Sequence, residues 1–509
     1  MCGFVCLWEI DDESGALIGA MLSRLGHRGP DATRITRLTS GPAVMGHCRL
    51  SIIGPDNGSQ PILLDSEILV ANGEIYNHED IRAILGVENF NTASDSETIL
   101  HLFRSGAQRW INRLDGMFAF VLATPDRIIA ARDPLGIKPL YMARRGKGLA
   151  FASELKAFDG LGFDEISAIP PGALFDSRMG ARQWYRIPSG AAEAESGLDI
   201  DAVAGELRLS LEEAVAKWMV ADVEVGSFLS GGLDSSIIAA IAQKIRIGAG
   251  HGPLKTFAVG TPGSSDLIAA RRVADHIGTD HHEFTFSAQD IARELPHVIY
   301  HLESADIDLV RSAIPTLFAA RLARTQVKAV LTGEGADELF AGYAYHHGYA
   351  DEPRALADEL TRSLGTMHNI NLQRVDRMTM AESLEARTPF LDRDLIAFAQ
   401  SLPAELKLRR TDPAIAESTG PTTEKWLLRK ACGDLLPEDL VWRKKAQFDE
   451  GSGTVDALRQ ALQILTGTRG DVGKLREAAL YREILSSRFS DPGMILSQAG
   501  QWNANRIAA

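Results

Sequence analysis

VEVGSFLSGGLDSS, residues 223–236, carries the strongest indication of the fold. A strand-like apolar run ends in a glycine pair, and the helical pattern SSIIAAIAQKI starts at residue 235. Glycines at such a turn let backbone amides converge on an anion, and the helix N-terminus adds partial positive charge. The stretch therefore predicts a phosphate-binding loop, although it lacks the GxxxxGKS/T spacing of a Walker loop. A plain tight turn is the alternative interpretation.

The side chains of this loop fit the same function. Ser230, Ser235 and Ser236 offer hydroxyl groups that can donate to phosphate oxygens. Asp234 offers the carboxylate that magnesium prefers when the ion binds together with substrate phosphates. We therefore expect a phosphate ligand and magnesium at this turn.

A second acidic turn follows a later strand. TGEGADELFAGY (332–343) comes directly after the strand-like QVKAVL, so Glu334 and Asp337 lie at a strand's carboxyl end, where open α/β sheets bind ligands. Further along, Lys445 in WRKKAQF can neutralise charge that develops on a phosphoryl group. A solvated basic pair is the alternative for Lys444 and Lys445.

Strand-like and helical runs alternate through this half of the chain. LKTFAV precedes DLIAARRVADHIG, HEFTF follows, and QVKAVLT comes later. This alternation predicts a parallel sheet with covering helices. From about Ala336 the pattern is mostly helical, and the polar segment 408–424 predicts a loop.

The first half has a different pattern. Short apolar runs such as MGHCRLSII, SEILVANGEI and GMFAFVLATPDR predict strands, and segments 80–86 and 96–106 predict helices. WYRIPSGAAEAESGLDIDA, residues 184–202, mixes Pro, Gly, Ser and acidic residues and predicts a linker. A long surface loop within one domain is the alternative.

Cys2 is a candidate nucleophile. Removal of Met1 would place the thiol and a free α-amine on one residue, and an amine with a pKa of about 7.7–8.0 can act as base for its own thiol. Gly3 leaves room for a substrate. An ordinary structural cysteine is the alternative.

Four downstream motifs supply groups that an amino-acid substrate needs. They are HRGPD (27–31), RLSII (49–53), NGEIYN (72–77) and SDSETIL (94–100). Arg49 can clamp an α-carboxylate, and Glu74 or Asp95 can hold an α-ammonium. Asn72 and the amide of the next residue can stabilise a tetrahedral oxyanion. Caps, turns and surface ion pairs are the alternative, and Asp31, for example, can cap a helix.

Composition limits the partners and the compartment. The 509 residues include 53 basic and 67 acidic side chains, and the formal net charge of −14 argues against nucleic acid as a partner. Four cysteines without a CxxC pair predict neither a disulfide framework nor a zinc site. The N-terminus lacks the basic region of a signal peptide, and no apolar run reaches about 18 residues. We therefore expect a cytoplasmic protein without a membrane partner.

In combination and in order, these motifs resemble those of the glutamine-dependent asparagine synthetases, from MCGF to WRKKAQF. The resemblance implies a mixed α/β and α+β fold. Residues 1–190 would form an αββα Ntn-hydrolase sandwich, the glutaminase domain. Residues 203–509 would form a parallel-sheet PP-loop (HUP-like) α/β domain with a largely helical end, the ATP-dependent synthetase domain. The resemblance also suggests a homodimer.

The resemblance assigns roles to residues by their place in the motifs. The implied catalytic residues are Cys2, Asn72, Gly73, Glu334 and Lys445. The implied glutamine-binding residues are Arg49, Leu50, Ser51, Ile52, Ile53, Asn72, Gly73, Glu74 and Asp95. The implied ATP and pyrophosphate contacts are Leu229, Ser230, Gly231, Gly232, Leu233, Asp234, Ser235, Ser236, Val259, Thr332 and Gly333. The implied aspartate contacts are Arg311 and Asp337, and the implied magnesium ligands are Asp234 and Asp337.

The implied reaction has two halves. Cys2 attacks the side-chain amide of glutamine and releases ammonia. The β-carboxylate of aspartate attacks the α-phosphorus of Mg-ATP to give β-aspartyl-AMP and pyrophosphate, and ammonia from an internal tunnel displaces AMP to give asparagine. Glu334 matches a residue linked to intermediate formation and ammonia deprotonation, and Lys445 matches one that stabilises the phosphoryl transition state. Water must be excluded, because it would hydrolyse the acyl-adenylate.

One departure from the family pattern lies beside the nucleophile. The chain starts with CGFVC where relatives commonly read CGIxG, so Cys6 stands four residues from Cys2. Packing as a small apolar residue is one hypothesis for Cys6. An oxidised Cys2–Cys6 pair that silences the glutaminase is the other.

A second departure lies near the expected aspartate pocket. ESADIDLVRSA (303–313) keeps Arg311 and Ser312 but has Asp308 and Leu309 where some relatives have two threonines. A carboxylate there would repel aspartate unless it points away or pairs with the arginine.

A glutamine-hydrolysing asparagine synthetase is the leading interpretation, with glutamine, aspartate and ATP as substrates. The first alternative is a specialised amidotransferase of the same build that acts on another carboxylate in a secondary pathway. β-Lactam-forming relatives tend to lack a working N-terminal cysteine, so Cys2 argues against ring closure. A non-catalytic nucleotide or glutamine sensor would need a broken catalytic set, yet Cys2, Asp234, Glu334 and Lys445 are all present.

Overall fold

The computed structural model describes residues 2–12, 15–192, 197–411, 422–443 and 448–500. Its first part contains two six-stranded antiparallel sheets, and its second part contains a five-stranded parallel sheet. The fold class that the sequence predicts is therefore confirmed. Lys444 and Lys445 lie outside the described residues, as does most of segment 408–424.

Twelve strands build the first part. They are β1 (Cys2–Trp8), β2 (Ala32–Arg37), β3 (Ala43–Arg49), β4 (Ile62–Leu64), β5 (Glu67–Ile75), β6 (Gly116–Thr124), β7 (Arg127–Arg132), β8 (Tyr141–Arg145), β9 (Gly148–Ala152), β10 (Asp164–Ala168), β11 (Ala173–Asp176) and β12 (Gly180–Gln183). The first sheet has the order β10-β8-β9-β1-β3-β2, and the second has the order β12-β11-β7-β6-β5-β4. The α-helices are Ala16–Ser23, His78–Leu85 and Glu97–Arg104, and the 3-10 helices are Gly26–Arg28, Val87–Asn89, Trp110–Arg113 and Leu155–Ala157.

The residue pattern of β1 explains why the two sheets stack. Successive side chains on a strand point to opposite faces. Phe4 and Cys6 pack into the apolar core between the sheets, whereas Val5 and Leu7 pack on the outer side with helix Ala16–Ser23. The two helices after β5 cover the outer face of the second sheet. These layers form a helix–sheet–sheet–helix sandwich.

The position of Cys6 rules out the oxidised pair. Cys2 and Cys6 lie four residues apart on one extended strand, and a rise of 3.3 Å per residue separates their Cα atoms by about 13 Å. A disulfide requires a Cα separation below about 7 Å. The hypothesis of a Cys2–Cys6 disulfide is therefore wrong, and Cys6 serves as a buried packing residue.

Five parallel strands form the sheet of the second part. They are β13 (Val225–Phe228), β14 (Lys255–Gly260), β15 (Asp280–Thr285), β16 (Ala329–Leu331) and β17 (Glu385–Arg387), in the order β15-β14-β13-β16-β17. The short strands β18 (Leu408–Arg410) and β19 (Thr422–Glu424) form an antiparallel ribbon. The sequence pattern did not predict β17, because it has only three residues inside a region with a helical pattern. It did not predict β18 and β19 either, because they form the two ends of segment 408–424, where the sequence predicts a loop.

Helices cover this sheet and form most of the C-terminal third. The α-helices are Ile200–Trp218, Leu233–Gly248, Ser265–Ile277, Ala288–Leu302, Ile307–Ala323, Ala336–Phe340, Pro353–Thr366, Asn371–Ala381, Arg393–Ser401, Ala404–Lys407, Trp426–Cys432, Glu438–Val441, Phe448–Gly451, Thr454–Thr466, Lys474–Arg488 and Pro492–Gln498. The 3-10 helices are Ala344–Tyr349, Met367–Asn369, Pro389–Leu391 and Gly433–Leu435. In the described part of the chain, none of the helices has the combined length and apolar character that crossing a membrane requires.

Between β12 and the helix that begins at Ile200, the described residues form neither helix nor strand. This segment connects the sandwich to the parallel-sheet part. The division into domains 1–190 and 203–509 stays a prediction.

Candidate active sites

Cys2 lies at the start of β1, where the strand register pairs it with Arg49 of β3. Its backbone nitrogen is 3.0 Å from Oδ1 of the buried Asn72. In the described structure Nδ2 of Asn72 is buried and has no hydrogen-bond partner. A buried donor in this state is costly unless a ligand oxygen binds it. The pair therefore combines a thiol with a donor suited to an oxyanion.

The surroundings of the Cys2 thiol disfavour its ionised form. Burial raises the pKa of the Cys2 thiol above its ordinary value. Its Sγ atom is 4.0 Å from the carbonyl oxygen of Leu50. Because a thiolate is the nucleophilic form, a base beside Cys2 is required at neutral pH.

Gly73 continues β5 at a position that only glycine can occupy. Its φ is +141°, and a Cβ atom built there would lie 1.9 Å from the carbonyl oxygen of Met117 on β6. The close strand approach therefore fixes the backbone next to Asn72.

Two buried carboxylates adjoin this position. Oε2 of Glu74 has no hydrogen-bond partner among the described atoms, and Nη2 of Arg387 is 3.8 Å away. Oδ2 of Asp95 accepts a 2.7 Å hydrogen bond from the backbone of Ile75. Burial raises the pKa of Glu74, with further rises from Glu385 and Asp95, and burial raises the pKa of Asp95 as well. A cationic group such as an α-ammonium would favour the ionised forms of both carboxylates, and the sequence predicts that they hold such a group.

Arg49 is already engaged by its own loop. Nη1 donates to the carbonyl oxygen of Pro55 at 3.0 Å, and Nη2 donates to that of Gly54 at 2.6 Å. The guanidinium thus holds the loop that carries Leu50 to Ile53. To clamp an α-carboxylate, as the sequence predicts, it would have to share or exchange these partners.

Asp31 also supports this loop. Its Oδ2 atom accepts a hydrogen bond from the backbone of Ser51 at 2.8 Å and pairs with Nζ of Lys328 at 2.7 Å. The interpretation of Asp31 as a helix cap is therefore wrong. The loop also contacts the second part of the chain at Asp222, whose carboxylate accepts from the backbone of Gly54 at 2.8 Å.

A cavity of about 600 Å³ opens at the carboxyl ends of β13, β14 and β16. Two of the motifs that the sequence analysis singled out meet there, together with Val259. The predicted residues that line it are Leu229, Ser230, Gly231, Gly232, Leu233, Asp234, Ser235, Val259, Thr332, Gly333, Glu334 and Asp337. Ser236 and Arg311 are not among the described residues that line it.

The loop before helix Leu233–Gly248 has the conformation that a phosphate site needs. Gly231 has φ +72°, and a Cβ atom there would lie 2.5 Å from the backbone nitrogen of Ala270. Gly232 is the N-cap residue, so the first amides of the helix face the loop. The hydroxyl of Ser236 donates to the carbonyl oxygen of Gly232 at 2.7 Å, so its hydrogen is engaged within the loop.

Asp234 and Asp337 converge on one cation, the ammonium of Lys425. Nζ of Lys425 is 2.6 Å from both carboxylate oxygens of Asp234 and 2.6 Å from Oδ1 of Asp337. Gly342 makes room for it, since a Cβ atom there would lie 2.1 Å from Cε of Lys425. Although burial opposes it, the two carboxylates raise the pKa of Lys425. The position therefore favours positive charge.

Sequence reasoning missed Lys425 and Arg374. Nη2 of Arg374 lies 2.5 Å from Oε1 of Glu334, and Nη1 lies 3.3 Å from Oγ1 of Thr316. Neither cation belongs to a motif, and each pairs with a carboxylate that is distant in sequence. No signal in one sequence identifies such pairs.

Arg311 has a different environment from the one expected. Its guanidinium forms a bidentate ion pair with Glu477, with distances of 2.9 and 2.7 Å. Arg311 therefore does not pair with Glu334, and Arg374 does. Other residues of the helix that carries Arg311, among them Asp308 and Leu309, do line the cavity.

The comparisons with known proteins match both parts of the chain. Residues 1–168 match the family model of the glutamine amidotransferase domain, and residues 206–357 and 348–506 match that of asparagine synthase. A glutamine-hydrolyzing asparagine synthetase 2 of Oryza sativa subsp. japonica is 38% identical over 89% of this chain and 78% of that protein. That of Asparagus officinalis is 37% identical over 97% of this chain and 88% of its own length. A probable one of Schizosaccharomyces pombe is 36% identical over 96% and 94%.

Proposed function

This chain belongs to the asparagine synthetase family, and we propose that it makes asparagine from aspartate, ATP and the amide nitrogen of glutamine. One observation carries the proposal: the phosphate loop, the converging carboxylates and the Glu334–Arg374 pair line one cavity, while the Cys2–Asn72 pair lies in the other part of the chain. A carboxylate needs a leaving group before ammonia can displace it, and ammonia needs a source. The two sites supply these two requirements.

At the first site, Cys2 is the proposed nucleophile. After removal of Met1, its α-amine takes the thiol proton, and Oδ1 of Asn72 holds that amine. The thiolate attacks the glutamine side-chain carbon, while Nδ2 of Asn72 and the Gly73 amide stabilise the oxyanion. The α-amine passes this proton to the departing nitrogen, which leaves as ammonia, and water then hydrolyses the thioester to glutamate and regenerates the thiol. Glu74 and Asp95 hold the α-ammonium of the substrate.

At the second site, the phosphate loop holds ATP so that its α-phosphorus faces the acceptor carboxylate. Arg374, one of the cations that line the cavity, is the proposed partner of that carboxylate. When the acceptor binds Arg374, Glu334 loses its partner and becomes free to accept a proton from ammonia as the amide bond forms. Lys445 neutralises the phosphoryl charge in this proposal.

We propose that magnesium binds on the acidic side of the cavity with substrate phosphates as further ligands, since the described residues contain no cluster of three or more metal-ligating side chains. Asp234 and Asp337 already converge on one positive charge, and one or two carboxylates plus substrate phosphates are the usual magnesium environment. These two residues would hold the ion, which would offset the charge of the phosphates when bound. Lys425 keeps the two carboxylates together.

A second candidate function rests on Asp308. Asp308 lines the cavity, and a like charge there would disfavour a dicarboxylate acceptor. The same chemistry on an acceptor that carries an additional amine is therefore the alternative.

Both candidates are tested by pyrophosphate release from Mg-ATP and ammonium with a panel of acceptors. The panel contains aspartate, glutamate, β-alanine and aspartates substituted with an amine or a hydroxyl. We expect the fastest release with aspartate and an equal amount of asparagine. If aspartate gave no pyrophosphate release and an amine-bearing acceptor did, the result would contradict the main proposal. Asp234→Asn is the control for pyrophosphate release that depends on the synthetase cavity, because it removes a carboxylate of this cavity and leaves the Cys2 site intact.

A further inference from the structure

Helix Asn371–Ala381 is buried along most of its length and reaches both sites. Arg374 on this helix pairs with Glu334 in the synthetase cavity. Two residues later, Asp376 points to the first part of the chain, because positions i and i+2 lie on nearly opposite faces of a helix. One rigid element therefore contacts the surroundings of both candidate sites.

Asp376 forms a bidentate ion pair with Arg28. Nη1 of Arg28 is 2.8 Å from Oδ2 of Asp376, and Nη2 is 3.1 Å from Oδ1. The side chains are 0% and 3% exposed, respectively. A fork of this kind fixes the orientation of the guanidinium as well as its position.

The same guanidinium contacts the nucleophile residue. Nε of Arg28 donates a 3.1 Å hydrogen bond to the carbonyl oxygen of Cys2. Gly3 allows this approach, since a Cβ atom there would lie 3.2 Å from Cδ of Arg28. The position of the Cys2 backbone is thus tied, through one side chain, to a carboxylate that is 374 positions away in sequence.

Other charges near Arg28 do not reproduce this restraint. Nη1 of Arg28 is also 2.6 Å from Oε1 of Glu154. That carboxylate is shared with His27 and Lys156 and contacts only one arm of the guanidinium. Without Asp376, the ion pair with Glu154 would draw Nη1 of Arg28 toward that carboxylate, and Nη2 would lose its carboxylate partner.

We propose that Asp376 is a positioning residue of the glutaminase site, supplied by the synthetase part of the chain. Through Arg28 it holds the Cys2 carbonyl, and so it sets where the α-amine and thiol stand relative to Asn72. The inference rests on the proposed function of Cys2. It concerns the rate of glutamine hydrolysis and leaves ATP-dependent amidation with free ammonia untouched.

The test compares two activities of the full-length Asp376→Asn protein. We expect the kcat for glutamine hydrolysis to fall by roughly tenfold to a hundredfold, because a displacement near 1 Å costs that much at a reacting group. The KM for glutamine should change less than about threefold, since the contacts to the substrate remain. Ammonia-dependent pyrophosphate release should stay within about twofold of wild type, which reports an intact fold in the same sample.

Asp115→Asn is the matched control. Asp115 forms another ion pair between the two parts, with Nζ of Lys217 at 2.7 Å, and the described structure places no contact between it and Cys2. We expect this variant to retain wild-type glutaminase activity. Equal glutaminase rates in Asp376→Asn and Asp115→Asn would overturn the inference, and so would a parallel loss of both activities in folded Asp376→Asn.

A second variant keeps the inference testable if Asp376→Asn does not fold. Arg28→Met combined with Asp376→Leu removes both buried charges, which apolar replacement tolerates better than the loss of one partner. We expect it to retain ammonia-dependent release and to lose glutamine hydrolysis. Wild-type glutaminase activity in the double variant would overturn the inference. Absence of glutaminase activity in the wild-type protein would instead contradict the proposed function.

Discussion

Asp308 is the single residue on which acceptor choice depends most directly. It lines the same cavity as Ser312 and Glu334, to which aspartate would bring two carboxylates. We expect Asp308→Asn to lower the KM for aspartate by about threefold to tenfold, because it removes a like charge from the wall. The KM for ATP should stay within twofold, and steady-state pyrophosphate release measures both. An unchanged KM for aspartate would show that Asp308 faces away from the acceptor.

A pH-dependent stability is expected from Asp266, which also lines the cavity. Burial raises its pKa to about 6, and Arg443 only partly offsets the rise. The folded pKa therefore exceeds the unfolded pKa, so this carboxyl group destabilises the folded state progressively as the pH rises from about 4 to about 6, and the effect is constant at higher pH. Asp266→Asn should stabilise the protein more at pH 8 than at pH 5, by on the order of 1 kcal/mol. Chemical denaturation at the two pH values measures this, and a pH-independent difference would contradict it.

Single residues also show the limit of prediction from one sequence. Cys2, Asn72 and Asp234 lie in short motifs whose chemistry is readable from spacing. Lys425 has no such motif, because its role depends on a positive φ of 55° and on the space beside Gly342. Only the folded chain brings it to its two carboxylates.

At the scale of elements, the turn after β16 must touch the phosphate loop. A Cβ atom on Gly333 would lie 2.8 Å from Cβ of Asp234 and 2.8 Å from the backbone nitrogen of Ser235. Gly333→Ala should therefore displace the loop and lower pyrophosphate release at least about tenfold, with glutamine hydrolysis unchanged. Gly205→Ala is the control, because a Cβ atom there meets nothing within 4 Å. Equal release by the two variants would contradict this close contact.

Strand β17 shows why some elements escape prediction. Its three residues include Glu385 and Arg387, both fully buried and joined by a 2.6 Å ion pair. Charged residues in a three-residue run have no strand periodicity. The parallel pairing with β16 and the approach of Arg387 to Glu74 give the segment its structure. These partners come from distant parts of the chain.

At the scale of the whole molecule, the two parts are held together by buried charge pairs. Arg28 pairs with Asp376, and Lys156 pairs with Glu303. Breaking such a pair from one side leaves an uncompensated buried charge, which lowers the stability of the folded chain. The sequence predicts two parts with different patterns, but it does not reveal this interface. The alternation of strand-like and helical runs predicts the parallel sheet, whereas the stacking of the first two sheets follows from the family resemblance.

The central claim is that one chain transfers nitrogen from glutamine to an ATP-activated aspartate. The most direct measurement supplies amide-labelled ¹⁵N-glutamine, aspartate and Mg-ATP without ammonium, and quantifies glutamate, pyrophosphate and asparagine. We predict ¹⁵N in the asparagine side chain and at least one glutamate and one pyrophosphate for each asparagine. Cys2→Ala should lose this product and still form asparagine from added ammonium. Labelled asparagine from Cys2→Ala, or pyrophosphate release without asparagine in the wild type, would contradict the claim.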